Sequence, residues 1–355
     1  MSGLAVMSQV FHQLCEETVQ AALVEDQSFG SVLPRLIDEA RHVPAPVLSA
    51  ALPRLAQGVA EAPPNLGGWL AVCAGAWVEN GADPDPVGTA IVDRLTEVAA
   101  AALAFADAWE AATGDKPPHM QEEQPSQHAL NVVSPTLGEG GVPAMMAWFS
   151  LPQFAMGACT VLARGPRVRA AVTDRPLKIL AAERSARYWG QMDYVKDLLQ
   201  VLDDHPLLVL DRQTRRGWMV TISGIGDNFQ LHTLLAAALV DRPQGVPGRA
   251  PDPRWVAASG DGDLQPDTPS VVGWWNLVDA RGGWIWNEGV PADIPEVNGV
   301  RVVVLDPPAY ERVWSPGRRF PLMPGSLTVN GTYTADELAG WWPHIAPARS
   351  PGRSG

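Results

Sequence analysis

The chain has 355 residues, 46% of them hydrophobic and 18% charged, and carries a formal net charge of −13. That balance excludes the low-hydrophobicity, high-charge composition of a disordered chain, and the length favours two domains over one core. A negative field with no basic run excludes nucleic acid as the main partner.

Only Lys116, Lys178 and Lys196 are lysines, while Ala, Gly, Pro and Arg abound, a bias typical of a GC-rich bacterial coding sequence. Cys15, Cys73 and Cys159 are widely spaced and form no C-x-x-C pair, so they read as reduced thiols in a core rather than zinc ligands or a dithiol. The N-terminus lacks a basic flank before its short apolar stretch, and no window approaches 18 uninterrupted apolar residues. The expectation is a cytoplasmic chain with no membrane partner.

In chain order, apolar residues recur at helical spacing from Met7 to about Ala112, which predicts a helical domain over 1–112. Its first helix, about Ser8 to Val24, carries Phe11, Leu14, Cys15, Thr18 and Ala22 on one face. The segments RLIDEA at Arg35, RLAQGVAEA at Arg54 and RLTEVAAAA at Arg94 echo one another, and the last two lie 40 residues apart. That period suits stacked HEAT-like helix pairs, the alternative being a bundle. Residues 113–143 are polar and rich in Pro and Gly, and read as a linker or mobile loop.

Helical spacing resumes over 144–205, with a break or kink at Pro152 and one long helix from Pro176 to about Asp204 carrying Leu180, Tyr188, Tyr194 and Leu198. An α+β domain follows over 206–346. Leu207–Asp211 and Trp218–Ser223 read as a β-hairpin, and GIGDN leads into the helix FQLHTLLAAALV. Residues 241–270 look disordered. The strands VVGWWNLV, GWIWN and VRVVVLD come next, then a short helix at ADELAGWW capped by Thr334, and 347–355 form a frayed tail. The fold class is thus α+β: a helical N-terminal part, then a mixed, tryptophan-rich part with short, mainly antiparallel strands.

Four features bear on chemistry. GIGDN is a glycine turn before a helix, the place where phosphate loops begin. It lacks the Lys-Ser/Thr of a P-loop and the third glycine of a dinucleotide fingerprint, and Asp227 would repel a phosphate, so Asp227 or Asn228 reads as a helix N-cap. Second, Asp203, Asp204 and His205 could meet Asp227 and His232 if the hairpin folds back, giving carboxylate and imidazole groups for acid–base work or a divalent metal. Third, Glu122, Glu123 and His128 lie in the polar loop and read as solvated.

The fourth feature is aromatic density. Eight of the fourteen tryptophans lie in the last third. Trp274 and Trp275 are consecutive on an expected strand, so one ring should face inward and one outward, whereas Trp284 and Trp286 should share a face. With Arg318 and the loop acids Glu288 and Asp293 they give the composition of a recognition surface, the competing role being core filler.

There is no G-x-S-x-G elbow, cofactor fingerprint or metal-ligand spacing, so neither a cofactor nor a metal is expected. The sequence points to an intracellular binding or adaptor protein that recognises a peptide, a protein or a small apolar molecule through its tryptophan-rich domain. The alternative is a cofactor-independent or metal-assisted enzyme using Asp204, His205, Asp227, His232 and Glu288.

Overall fold

The computed structural model describes residues 3–264 and 267–349, and the chain divides into two compact units, Met1–Leu199 and Gln200–Gly355. The first is built from helices α1 (Gly3–Leu23), α2 (Phe29–Ala40), α3 (Ala45–Glu61), α4 (Pro64–Glu79), α5 (Asp85–Thr113), α6 (Gln127–Leu137), α7 (Gly141–Arg164), α8 (Pro166–Ala171), α9 (Arg175–Ala186) and α10 (Met192–Gln200). The expected stripe of α1 is buried, and the Thr18 hydroxyl donates to the Leu14 carbonyl at 2.7 Å.

α5 and α7 form the centre of this unit. α7 packs along both α4 and α5, and α5 also meets α3, α6 and α9. Stacked helix pairs touch only their neighbours, so this is a bundle. The RL echo has a simpler cause: Leu36, Leu55 and Leu95 are each buried, while Arg54 pairs with Glu16 and Arg94 with Glu97 at the surface. Three helices share a face pattern without being repeats.

α4 and α7 meet backbone to backbone. A Cβ on Gly157 would lie 2.6 Å from the Ala71 carbonyl oxygen, and one on Gly75 would lie 3.2 Å from the Gly157 Cα. The stretch Gln127–Arg164 is long and apolar enough to cross a membrane, but 78% of its most apolar window is buried inside the unit, so that surface is core. α7 continues through Pro152 without a break.

Two readings need correction here. The expected linker over 113–143 contains α6, capped by Ser126, whose hydroxyl accepts from the Ala129 N–H at 3.1 Å; Ala129 and Val133 pack it onto α5 and α7. The expected long helix is two, because the chain turns at residues 187–191 to bury Trp189. α9 then buries Lys178, Ala182 and Ser185 and leaves Leu180 outside; Tyr194 on α10 is also exposed. The Lys178 ammonium meets Asp93 at 3.0 Å and the Thr173 carbonyl at 2.8 Å.

The second unit is a mixed sheet. Its strands are β1 (His205–Asp211), β2 (Gly217–Ser223), β3 (Val271–Val272), β4 (Asn276–Asp279), β5 (Glu296–Val297), β6 (Val300–Asp306), β7 (Val313–Trp314) and β8 (Ser326–Tyr333), with helices α11 (Asn228–Leu239) and α12 (Pro253–Ser259). The main order is β4-β6-β1-β2-β8, with β5 paired to β6 and a separate β3-β7 pair. β1 and β6 are parallel; the other pairs are antiparallel.

Side chains alternate across the sheet as the pleat requires. Leu207, Val209, Trp218, Val220 and Ile222 face the core under α11, whereas Leu208, Leu210, Val302 and Val304 face Leu338, Trp342 and Ile345 of the C-terminal segment. The β5–β6 hairpin turns on Asn298 and Gly299, both at positive φ, the requirement of a two-residue primed turn.

The hairpin and α11 lie where the sequence placed them; other elements differ. VVGWWNLV is interrupted at 273–275, and GWIWN makes only an isolated bridge between Val278 and Trp284. Residues 241–270 contain α12, with 265 and 266 outside the described residues. At ADELAGWW the capping bonds do form, Glu337 accepting from the Thr334 N–H at 2.7 Å and from its hydroxyl at 2.8 Å, but the segment makes turns instead of a helix. Of the expected frayed tail, 350–355 lie outside the described residues; Arg349 donates its N–H to the Gly282 carbonyl.

Candidate functional site

The GIGDN turn holds a helix end and a loop together. Asp227 caps α11, its Oδ1 accepting from the Gln230 N–H at 2.8 Å. The Asn228 N–H donates to the Gly289 carbonyl at 2.9 Å and the Phe229 N–H to the Asn287 carbonyl at 3.1 Å. The amides that would hold a phosphate therefore hold the 287–289 loop instead. The glycines have packing reasons. Gly224 has φ +64°, and a Cβ there would sit 2.2 Å from the Pro324 carbonyl oxygen. Burial, only partly opposed by the capping bond and by Arg319, pushes the Asp227 carboxyl above its ordinary range.

The acids and histidines of the second feature have separate surroundings. Asp203 accepts from the Gly224 N–H at 3.1 Å, and Asp204 accepts from the Ser223 hydroxyl at 3.1 Å, so both tie the start of β1 to the end of β2. His205 opens β1 opposite Ile222; burial first and Arg301 next hold its pKa below the usual histidine value. Arg301 is the second residue of β6, whereas Trp275, which stacks on His232 at 5.7 Å, adjoins Asn276 opposite Asp306 at the far end of that strand. No hydrogen bond or ion pair joins the two imidazoles, and no group of three or more His, Cys, Asp and Glu is placed to hold a metal ion, among the described residues.

His232 is instead a core histidine. It is fully buried, and its Nε2 accepts from the Trp274 N–H at 3.3 Å. Its ring lies 5.0 Å from Trp314 and 6.1 Å from Trp274. Burial pushes its pKa down to about 3 despite the neighbouring Asn287 amide, so the ring is neutral at pH 7.

The tryptophans split by role. Trp274 and Trp275 do not alternate, because residues 273–275 leave the strand conformation; both rings contact His232. They line a cavity of about 320 Å³ with Val246, Leu305 and Asp306. Four indole N–H groups fix loops: Trp218 to the Gln244 carbonyl at 3.0 Å, Trp255 to Pro269 at 2.7 Å, Trp274 to Arg249 at 2.9 Å and Trp284 to Arg349 at 2.8 Å. Trp284 and Trp286 do lie together, with ring centres 5.6 Å apart.

Trp286 is the large exposed ring of this group, at 51% of its surface, and it opens onto a cleft of about 280 Å³. Tyr310 (51% exposed) and Val313 (55%) line the same cleft, with Phe229 and Trp314 deeper. Arg312 lies 5.1 Å from the Trp284 ring centre and 5.4 Å from those of Trp286 and Tyr310, while its Nη2 donates to Asn276 at 3.0 Å. This cation–π cluster props the rings at the mouth. Glu288 and Glu311 line the cleft with exposed carboxylates. Asn287, 2% exposed, also lines it, its side-chain amide set against the buried His232 ring.

Other expected residues stand apart. Arg318 gathers the carbonyls of Ala258, Gly260, Gly262 and Pro321 and is not among the residues lining the cleft. Asp293 is exposed, in the turn Pro291–Asp293 beside Val290. Glu123 accepts from the His119 N–H at 2.8 Å, and His128 packs edge-on against Trp109. Burial pushes the Cys15, Cys73 and Cys159 thiols up to about 12, so none is a ready nucleophile.

Sequence reasoning reached Trp286 and Glu288 but not Tyr310, Glu311 and Val313. Those arrive from the segment after Pro307 and Pro308, more than 20 residues along, and the only hint was an aromatic beside an acid and an arginine at Tyr310–Arg312. Comparison of the chain with protein-family models, with curated proteins and with solved structures returns no match.

Proposed function

We propose that this is a binding or adaptor protein of the bacterial cytoplasm whose C-terminal unit takes a peptide, seating one apolar side chain, flanked by a basic residue, in the cleft at Trp286. The observation that carries this reading is convergence: Trp286, Tyr310 and Val313, each more than half exposed, share one small cleft with two solvent-facing carboxylates. Exposed apolar groups gathered in this way mark interaction sites, whereas scattered ones do not.

Magnitudes assign the roles. Burying one apolar side chain is worth about 1.5–3 kcal/mol. An exposed ion pair to Glu288 or Glu311 adds only about 0.2–1 kcal/mol. The aromatic rings therefore set affinity and the acids set preference.

Peptide display on the full chain tests the reading. Selected sequences should carry an apolar residue next to Lys or Arg, and Trp286→Ala should weaken them about thirtyfold, the loss of one hot-spot ring. Selection that yields nothing, or peptides that bind Trp286→Ala equally well, would contradict it.

A further inference from the structure

The helical unit contains a cavity of about 430 Å³ between the end of α5, the 116–120 segment and the α9–α10 turn. In size it falls within the range of small-molecule pockets. Its wall is the segment whose composition reads as a linker, and that wall is pinned. Trp148 on α7 donates its indole N–H to the Pro118 carbonyl at 2.9 Å, and the Glu123 carboxylate holds the His119 N–H at 2.8 Å.

Its charges are unusual for so acidic a chain. Lys116, one of three lysines, and Arg187 both line the cavity, and neither forms an ion pair among the described residues. The one acid lining it is Glu110, which lies against the Tyr188 hydroxyl. Two cations and one carboxylate leave a single net positive charge.

The His119 Nδ1 accepts from the N–H groups of Gln121 at 3.3 Å and Glu122 at 3.2 Å. That fixes the neutral ring's proton on Nε2, leaving a donor on a residue that lines the cavity. Trp148 and Tyr188, edge to face with centres 5.4 Å apart, supply an aromatic corner against which a ring can pack.

We infer that this cavity binds a small aromatic monoanion, its carboxylate held by Lys116 and Arg187 and its ring against Trp148 and Tyr188. The site is independent of the cleft at Trp286.

Calorimetric titration of the full chain with 2-naphthoate, and with the neutral 2-naphthamide of the same shape, tests the inference. Saturable one-to-one binding of the naphthoate is expected. The amide should bind at least about tenfold more weakly, and Lys116→Ala and Arg187→Ala should each weaken the naphthoate about tenfold, the scale of a hydrogen bond to a charged group. Both are exposed side chains, so the variants should fold; Trp286→Ala should leave the affinity unchanged. Absent binding, equal binding of the amide, affinity unmoved in both cation variants, or loss in Trp286→Ala would each overturn it.

Discussion

The two units solve the problem of packing in opposite ways. In the helical unit the α4–α7 contact uses no side chain, Gly75 and Gly157 letting the two helices touch through their backbones. In the sheet unit large rings surround a buried histidine, and four indole N–H groups reach out to pin loop carbonyls. Helices satisfy their own backbone groups, so small residues suffice between them; long irregular segments do not, and a ring with one donor both fills space and secures a loop. Tryptophan richness is therefore mostly structural here, and Trp286 is informative because it departs from that use.

Breaking the helical contact should give the largest effect. Gly157→Ala places a methyl against the Ala71 carbonyl and should cost about 3 kcal/mol, at the upper end for overpacking. Gly30→Ala in α2, where a Cβ meets nothing within 4 Å, should instead stabilise by about 0.5 kcal/mol through helix propensity. Urea denaturation checks the pair, and equal effects would contradict the backbone contact.

Acid should act on the sheet unit through His232. Its folded pKa, about 3, lies below the ordinary 6.5, so the unfolded chain binds the extra proton between those values and stability falls as pH drops below 6.5. By pH 5 the loss should reach about 2 kcal/mol, at 1.36 kcal/mol per pH unit. Asp227, whose carboxyl is raised, opposes this by favouring the folded state as pH falls. His232→Gln should steepen neither limb and flatten the slope between pH 6.5 and 5; an unchanged slope in urea midpoints would contradict the assignment.

Much of the sheet unit was legible because its pattern is local. Short apolar runs rich in strand formers and bounded by turn residues marked β1, β2 and β6, and the glycine turn leading into an apolar stretch marked α11. β8 escaped notice because it is an edge strand, largely exposed, with Asn330 and Gly331 inside it and an irregular register opposite Met219 and Val220. GWIWN looked like a strand because tryptophan favours sheets, yet its rings serve Arg312 and the loop near Arg349 instead of a ladder. In the helical unit Trp189 was read as one more helical position, and only burial shows that it turns the chain. The cleft was half legible, since Tyr310, Glu311 and Val313 reach Trp286 through tertiary folding.

The division between structural and recognition tryptophans is the central claim, and fluorine NMR of 5-fluorotryptophan-labelled protein tests it most directly. Among the rings of the sheet unit, Trp286 should be broadened most by a soluble paramagnetic probe, Trp275 and Trp314 should be spared, and a selected peptide should shift Trp286 and its neighbour Trp284 first. Equal broadening of the Trp275 and Trp286 signals, or a peptide that shifts Trp275 and leaves Trp286 still, would contradict the account.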